Sequence, residues 1–405
     1  MEHLKTLHER IFSYIKTNWK SALNEPAGAL KYKFMDPAAC YRAQLWDWDS
    51  YFCAMGLMNV YENIAEYTRG CAMNFLEHQR KDGSIPYMIN VAKANVALAD
   101  LSMQLRDETC DFNSMKPLLA QMCLMTIGKL ESDDWIREHY DGLKLHIVHW
   151  EQTQQIKNGL FVWRSYRGSG TDNHPALYGR PLNSSVGVEL NCFMYQEYLA
   201  MAEIARICND TVMSETYEKK AKKLADAINE HMWDPIDEIY YHLDALSAKP
   251  PLARQDVFWD IPLKFKTWTS FMPMYVGIAP KEYAEKLVRK HILNREEFWS
   301  DYGIRTLAKN EPVYNLEETS NPSNWQGPIW IVSTYLIFKG LLNYGYWEEA
   351  KQIAENLLTN LCRDLDENGA LHEYYNSETG ISNINLGFMN WNALAGLMVP
   401  ELENI

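Results

Sequence analysis

Residues 188–232 read VELNCFMYQEYLAMAEIARICNDTVMSETYEKKAKKLADAINEHM, and this stretch decides the fold class. Apolar residues recur every three or four positions at Leu190, Met194, Tyr198, Met201, Ala205 and Cys208, and again at Tyr217, Ala221, Leu224, Ile228 and Met232. This spacing places them on one buried face of an α-helix. Asn209 and Asp210 interrupt the pattern, and Ser214 is a predicted N-cap. The stretch therefore predicts two antiparallel helices joined by a short turn.

The same periodicity returns near the C-terminus, at Ala350, Ile353, Ala354, Leu357 and Leu361. Short turns between such helices predict helical hairpins stacked side by side. Strand signals are few and short. One covers residues 239–241, and the other flanks Asn368 and Gly369, a pair that favours a tight hairpin turn. Because the sequence shows no linker or low-complexity tract, we predict one all-α domain over residues 1–405 with short β-hairpin insertions.

The composition excludes some classes of partner. A formal net charge of −14 argues against nucleic acid, which binds basic surfaces that displace its counterions. No apolar run approaches the roughly 18 residues of a membrane span. The 14 Trp and 24 Tyr residues suit a cleft that stacks on flat apolar faces and offers polar tips. Sugar rings present such faces, and so do other ligands, so the composition by itself does not identify the partner.

The eight cysteines, at positions 40, 53, 71, 110, 123, 192, 208 and 362, form no CxxC pair and no cluster with histidine. This spacing is typical of free thiols in a reducing compartment, and it predicts neither a disulfide framework nor a metal site. The first residues lack the charged-then-apolar layout of a signal peptide. We therefore expect a cytoplasmic protein, or a periplasmic one if a leader has been removed.

Four segments interrupt the helical pattern with clustered aromatic residues, carboxylates and glycines. They are QLWDWDSYF at 44–52, WRSYRGSGTDNHP at 163–175, SNWQGPIW at 323–330 and NGALHEYYN at 368–376. Functional groups tend to lie on loops held by a rigid scaffold. These segments therefore contain the candidate site residues.

Each segment also has an explanation in folding alone. Asp49 could cap a helix whose tryptophans lie in the core, and Asp172 could form an Asx turn. Gly327 and Pro328 suit a helix start. Glu373 could be a solvated strand residue. The alternation of a strand would place Tyr375 on the same face as Glu373.

Together and in this order, the four segments resemble the catalytic domain of glycoside hydrolase family 63 and its mannosylglycerate-hydrolase-like relatives. Trehalases of family 37 are more distant relatives. The turn DGSIPY at 82–87 and the segment FMNWNAL at 388–394 also resemble the family. Each motif is short, but their order and spacing are specific over nearly the whole chain.

The resemblance implies an (α/α)6 toroid and an inverting mechanism, with Asp172 as general acid and Glu373 as general base. The family's sugar-binding pocket falls on Trp46, Asp49, Trp325, Gln326 and Trp391. The quoted segments supply further candidate substrate-binding residues, which are Gln44, Trp48, Trp163 and Tyr375. An inverting glycosidase needs one protonated carboxyl for the leaving oxygen and one ionised carboxylate to activate water. This chemistry requires no metal ion and no organic cofactor.

Three positions depart from the family pattern. Gly168 stands where the family often has Glu, His174 where it has Ser, and Gln326 where it has Arg. These changes affect substrate contacts rather than the catalytic pair. We expect cleavage of a non-reducing-end α-glucosyl or α-mannosyl unit from a short glycoside or oligosaccharide, with trehalose as the second candidate substrate.

Two other classes of function are compatible with a toroid of this kind. A sugar epimerase or isomerase on this toroid would transfer protons through histidines, and candidates are His78, His174, His242 and His372. They form no recognisable pair of motifs. An inactive sugar-binding protein is the other class. It would have no need of both Asp172 and Glu373, and the sequence retains both.

Overall fold

The structure, a computed structural model, describes all residues except 59, 62, 93–112, 246–260, 318–321 and 405. Its α-helices are Glu2–Asn18, Asp47–Leu57, Ile64–Glu77, Leu119–Leu124, Asp134–Glu138, Tyr140–Thr153, Val188–Ile207, Thr211–His231, Met272–Tyr275, Lys281–Lys286, Ile331–Asn343, Trp347–Asn368 and Met398–Glu403. A π-helix, Leu287–Ile292, continues Lys281–Lys286, and 3-10 helices cover Trp19–Ala22, Ala39–Tyr41, Tyr166–Ser169, Trp268–Phe271 and Asn390–Leu397.

The helices form two concentric layers. The inner layer consists of Asp47–Leu57, Leu119–Leu124, Val188–Ile207, Met272–Tyr275, Ile331–Asn343 and Asn390–Leu397, and from Leu119–Leu124 onward each packs against the next. Asn390–Leu397 also packs against Asp47–Leu57, and the outer helix Ile64–Glu77 joins Asp47–Leu57 to Leu119–Leu124. These contacts close a ring. The outer layer, with Glu2–Asn18 and Trp347–Asn368 among its members, covers this ring, so the predicted (α/α)6 toroid is confirmed.

The helical hairpin predicted from residues 188–232 is present as Val188–Ile207 and Thr211–His231. The predicted N-cap is wrong by one turn. Asp210 is the N-cap, and its Oδ1 accepts a hydrogen bond from the backbone nitrogen of Met213 at 3.1 Å. Ser214 lies inside the helix and is buried. A carboxylate at this end also interacts favourably with the helix dipole, which explains why the helix begins at the earlier residue.

The hairpin turn predicted at Asn368 and Gly369 is also wrong. The helix Trp347–Asn368 continues to Asn368, and Gly369 ends it with a φ of +74°. A helix C-terminus and a tight turn both need a residue in the left-handed region, and glycine adopts it without strain. The sequence pair therefore identified a change of chain direction but assigned it to the wrong structure.

The strands are short and lie at the ends of the helices. One sheet has four strands in the order Pro262–Leu263, His242–Asp244, Ser185–Val186 and Val162–Trp163. The two-stranded sheets pair Leu23–Asn24 with Phe34–Met35, Gln44–Trp46 with Met88–Asn90, Trp233–Asp234 with Ile239–Tyr240, Trp299–Ser300 with Gly303–Ile304, and Ile329–Trp330 with Tyr374–Tyr375. The strand predicted at 239–241 is thus confirmed. The last pair places Ile329 opposite Tyr375, which brings the third and fourth segments together.

Most of the described buried apolar side chains form one large cluster that runs from Leu4 to Val399. Both helical layers contribute to it, as expected for hairpins whose apolar faces are turned toward each other. Among the residues that the structure describes, no helix combines the length and the apolar character needed to cross a bilayer.

Candidate active site

All four segments contribute to one cavity of about 260 Å³ at the N-terminal ends of inner helices. Its lining consists of Tyr41, Trp46, Trp48, Asp49, Tyr87, Lys116, Arg167, Gly170, Asp172, Ser323, Trp325, Trp330, Glu373 and Trp391. The predicted catalytic pair, Asp172 and Glu373, is therefore brought together from distant parts of the chain. Three carboxylates and two cationic side chains share the wall with five tryptophans.

The first segment enters the cavity as a strand turns into a helix. Gln44–Trp46 is extended, and the inner helix begins at Asp47. Trp48 and Asp49 lie in its first turn, where both are buried and face the cavity. The segment thus forms a helix start, as the structural interpretation expected, and it also places Trp48 and Asp49 in the cavity lining. Asp49 does not act as the N-cap, because that position is held by Trp46.

The loop that carries Asp172 approaches the first segment closely at Gly170. This glycine has a φ of +79°, and a Cβ built on it would lie 2.7 Å from the indole ring of Trp48. Only glycine fits such an approach in this conformation. Gly170 therefore allows the chain to turn against Trp48 and place Asp172, two residues later, in the cavity lining.

Asn173 connects this loop to the third segment. Its Oδ1 accepts a hydrogen bond from the backbone nitrogen of Trp325 at 2.7 Å, and its Nδ2 donates to Asn324 Oδ1 at 2.9 Å. Its backbone carbonyl accepts from the Gln326 side chain at 3.0 Å. Since these groups are buried or partly buried, the bonds fix the position of the Asp172 loop relative to Trp325.

Glu373 lies in the cavity with its carboxylate almost completely buried. Burial, together with the charges of Asp49 and Asp172, raises its pKa to about 8, although hydrogen bonds donated by Asn385 Nδ2 and the Tyr41 hydroxyl oppose the rise. Both donors reach the same oxygen, Oε2. The protonated form of Glu373 is therefore favoured in the free protein at neutral pH.

Asp49 is the third carboxylate of the cavity. Burial, together with the Asp47 charge, raises its pKa to about 7, although the Lys116 ammonium and a hydrogen bond from Asn390 Nδ2 oppose this. The free cavity thus contains two carboxyl groups whose charge changes near physiological pH. Clusters of this kind are typical of functional sites.

Tryptophans form a continuous wall beside the carboxylates. The ring centres of Trp48 and Trp391 are 5.2 Å apart, and those of Trp48 and Trp325 are 5.7 Å apart. Trp325 also stacks on Trp330 at 4.0 Å. Rings held in this way keep their orientation without a ligand, so the wall is preformed for a flat apolar face.

Four of the predicted substrate-binding residues do not belong to the lining. Trp163 is buried behind it, where its Nε1 donates to Glu189 at 2.8 Å. The side chain of Gln326 donates to Asn173, and Gln44 accepts from the Trp46 indole at 2.9 Å. Tyr375 is buried and donates to Asp364 at 2.8 Å. The hydrogen bonds of these four residues hold neighbouring parts of the site in place.

The lining also includes residues that sequence reasoning did not select. Tyr41, Tyr87 and Lys116 lie outside the four segments, whereas Arg167 and Trp330 lie inside them but were not chosen. The turn DGSIPY carried a signal for Tyr87, since the resemblance included it. Nothing in the local sequence around Lys116 indicates that its side chain reaches the cavity.

Histidine does not contribute to the described lining. The rings of His174 and His242 lie 4.6 Å apart, but both are buried, and His242 lies 3.0 Å from Glu189. In the part of the chain that the structure describes, no group of three or more His, Cys, Asp or Glu side chains is arranged to hold a metal ion. The ionisable side chains of the described lining are therefore carboxylates, tyrosines, one lysine and one arginine.

Comparison with known proteins places this chain among carbohydrate-cleaving enzymes. A mannosyl-oligosaccharide glucosidase of Arabidopsis thaliana is 27% identical over 268 residues, which are 58% of this chain and 31% of the relative. A mannosylglycerate hydrolase of Rubrobacter radiotolerans is 23% identical over 45% of this chain and 36% of its own length. The chain spans about a third of the length of such curated relatives.

Solved structures show the same fold. The GH63 mannosylglycerate hydrolase from Thermus thermophilus, in complex with glucose, has a TM-score of 0.71 at 18% identity and covers 97% of this chain and 100% of its own. The neutral trehalase of Saccharomyces cerevisiae has a TM-score of 0.62 at 17% identity. The match covers 95% of this chain and 79% of the trehalase chain. The family model for the mannosylglycerate hydrolase MGH1-like glycoside hydrolase domain matches residues 42–388. This chain therefore belongs to the MGH1-like glycoside hydrolases.

Proposed function

We propose that this glycoside hydrolase removes a non-reducing-end α-glucosyl or α-mannosyl unit from a short glycoside with inversion of configuration. Asp172 acts as general acid and Glu373 as general base. The observation that carries the proposal is that these two carboxyl groups, from segments about two hundred residues apart, line the same cavity. An inverting glycosidase requires such a pair on opposite sides of the scissile bond.

In the proposed reaction, the Asp172 carboxyl gives its proton to the glycosidic oxygen as the bond from that oxygen to the anomeric carbon breaks. Glu373 takes a proton from a water molecule, whose oxygen attacks the anomeric carbon from the opposite face. The products are the free alcohol and a β-configured sugar. Hydrogen bonds from Asn385 and Tyr41 to Oε2 leave the other carboxylate oxygen of Glu373 for water.

The raised pKa of Glu373 matters for where the proton lies before the reaction begins. In the free protein, the pair holds a proton on Glu373 up to about pH 8. The reactive form needs that proton on Asp172. A bound glycoside favours this transfer, because its glycosidic oxygen accepts a hydrogen bond from the protonated Asp172.

The size of the cavity and the chemistry of its lining support a short glycoside as the substrate. Its volume of about 260 Å³ lies just below the range for ligand pockets, which are roughly 300–1,000 Å³. The tryptophan wall suits the apolar face of a pyranose ring. Among the described residues the buried indole N–H of Trp391 has no hydrogen-bond partner, and a sugar hydroxyl would accept from it.

Two observations weigh against the alternative functions. An epimerase that transfers protons through histidines would need a histidine at the substrate, and the described lining contains carboxylates instead. A sugar-binding protein without activity would not need a buried carboxyl group such as that of Glu373 beside Asp172, because burying it costs free energy. Trehalose remains the second candidate substrate within the proposed activity.

For the location, we propose the cytoplasm on the spacing of the cysteines in the sequence, with the periplasm as the alternative. The seven described cysteines are free thiols, and most of them are buried. Cys110 lies outside the described residues. Free buried thiols persist where disulfide formation is not favoured.

The test is proton NMR of the purified protein with α-glucosides, α-mannosides, trehalose and glycosyl-glycerates. We expect the β-anomer to appear first from one of these substrates and to mutarotate afterwards. Release of the α-anomer first would exclude inversion. Interconversion of free sugars without cleavage of any glycoside would favour the epimerase instead.

A further inference from the structure

Lys116 is a buried cation in the wall of the cavity. Its side chain is 1% exposed, and its Nζ lies 3.0 Å from Oδ1 of Asp47, which is itself 0% exposed. The backbone nitrogen of Lys116 donates to the other oxygen of the same carboxylate at 2.8 Å. The Nζ also lies 4.9 Å from the centre of the Trp48 ring. Asp47 therefore holds both the backbone and the side chain of Lys116 in place.

Among the described residues, too few acceptors face this ammonium to complete its hydrogen bonds. A lysine Nζ carries three protons and accepts none. Within the described residues, its one hydrogen-bond acceptor is Asp47 Oδ1. A buried charge with unused donors is costly, whereas the same charge beside a suitable acceptor is stabilised. Because Lys116 lines the cavity, the molecule that occupies the cavity is in a position to supply the missing acceptors.

Asp49 provides the complementary group on the same wall. It follows Asp47 by two residues in the first turn of the same helix, and it lies close enough for the Lys116 charge to oppose the rise in its pKa. A carboxylate accepts a hydrogen bond from a hydroxyl group, and an ammonium donates a hydrogen bond to the oxygen of a hydroxyl group. An acceptor and a donor side by side thus match the hydroxyl groups of a neutral sugar ring.

We propose that Lys116 is a specificity-determining residue, whose Nζ donates a hydrogen bond to a hydroxyl oxygen of the sugar bound in this cavity. The inference rests on the proposed function, since it assumes a sugar beside Asp172 and Glu373. It goes further by assigning the recognition of one ring hydroxyl to a buried cation that no motif identified. A purely structural role would limit Lys116 to neutralising Asp47.

The two roles differ in how the protein responds to the removal of single hydroxyls. The probes are glucose, mannose and their monodeoxy analogues, with binding measured by calorimetry. We expect one deoxy analogue to bind the natural protein about 10- to 100-fold more weakly than its parent, the scale of a hydrogen bond to a charged group. In the double variant Asp47→Asn/Lys116→Met, that difference should shrink to less than about threefold.

The double variant avoids leaving the buried Asp47 carboxylate without its partner, which would destabilise the fold. Lys129→Met is the matched control, because Lys129 is an exposed lysine outside the cavity lining. It should retain the full discrimination. If the double variant discriminates among the deoxy sugars as the natural protein does, the proposed contact is wrong.

A structure of the natural protein with bound glucose or mannose tests the contact without any substitution. We expect Lys116 Nζ within about 3.2 Å of a ring hydroxyl oxygen. A sugar held in the cavity with Nζ out of reach overturns this inference alone and leaves the proposed function intact. If no sugar in the panel binds the natural protein, the proposed function is overturned together with it.

Discussion

The side-chain oxygen of Asn173 accepts a 2.7 Å hydrogen bond from the backbone nitrogen of Trp325, a residue 152 positions away in the sequence. Asn173 directly follows Asp172, and Trp325 belongs to the tryptophan wall. The bond therefore joins the loop of the proposed acid to the surface on which the sugar is expected to lie. Geometry of this kind matters because small displacements of a catalytic group reduce the rate strongly.

Asn173→Ala should lower both stability and turnover. The substitution removes two side-chain hydrogen bonds and leaves the buried backbone nitrogen of Trp325 without its acceptor, at a cost of about 2–4 kcal/mol. We expect kcat to fall by at least about tenfold, because the Asp172 loop loses its attachment. Melting temperature and kcat are measured together. Asn158→Ala, which removes one hydrogen bond to Leu160 away from the cavity, should leave kcat unchanged.

Replacing either proposed catalytic carboxyl should nearly abolish activity on an alkyl glycoside. We expect a loss of about a hundredfold or more in kcat for Asp172→Asn and for Glu373→Gln, the usual scale of acid–base catalysis. The control is Glu367→Gln, since Glu367 is exposed on the helix that precedes Glu373. If either variant keeps near-normal turnover with an intact fold, that carboxyl has been assigned in error.

Glycosyl fluorides distinguish the two roles. Fluoride leaves with little help from a general acid, so Asp172→Asn should lose less than about tenfold on an α-glycosyl fluoride. Glu373→Gln should remain as inactive on the fluoride as on the glycoside, because water must still be activated. The opposite pattern would reverse the roles of Asp172 and Glu373. Both substrates are compared by initial rates of sugar release.

The raised pKa of Glu373 predicts an alkaline limit to activity. The reaction needs one proton on the carboxyl pair, and above about pH 8 the proton held by Glu373 is lost, so both groups are ionised. We therefore expect kcat/KM to fall as the pH rises above about 8. In Asp49→Asn the fall should begin at lower pH, because the Asp49 charge contributes to the raised pKa. A profile that stays flat to about pH 10 contradicts this prediction.

The same shift predicts how stability depends on pH. The pKa of Glu373 is raised from 4.5 to about 8 on folding, so the folded state binds more protons than the unfolded state between these values. Its favourable contribution is complete below about pH 4.5 and is lost as the pH rises through 8. Glu373→Gln should therefore be more stabilising, relative to the natural protein, at about pH 8.5 than at about pH 5. Thermal unfolding at both pH values measures the difference.

Gly170→Ala tests the close approach of the Asp172 loop to Trp48. A methyl group at this position combines a strained positive φ with a contact of 2.7 Å. Gly179→Ala is the matched control, because Gly179 has a similar φ of +73° with no atom within 4 Å of the added Cβ. Both variants should lose about 1 kcal/mol from backbone strain. We expect Gly170→Ala to lose more, and to lose kcat as well, since Asp172 must move.

The helices were predictable because their signal is local. A stripe of apolar residues every three or four positions requires one buried helical face, and this was sufficient for Val188–Ile207, Thr211–His231 and Trp347–Asn368. The two errors concern the ends of helices. Ser214 and Gly369 are residue types that suit more than one local structure, and the surrounding contacts selected among these possibilities.

The sequence by itself determined the helical class, the family and the carboxylates that belong to its motifs. It could do so because periodicity and the order of motifs can be recognised along the chain without knowledge of its tertiary contacts. Only the tertiary structure decided which side chains line the cavity: Trp163 and Tyr375 turn into the protein, whereas Lys116 is part of the cavity wall. It also decided the charge state of Glu373, because a pKa depends on burial and on charges that reach the site from distant parts of the chain.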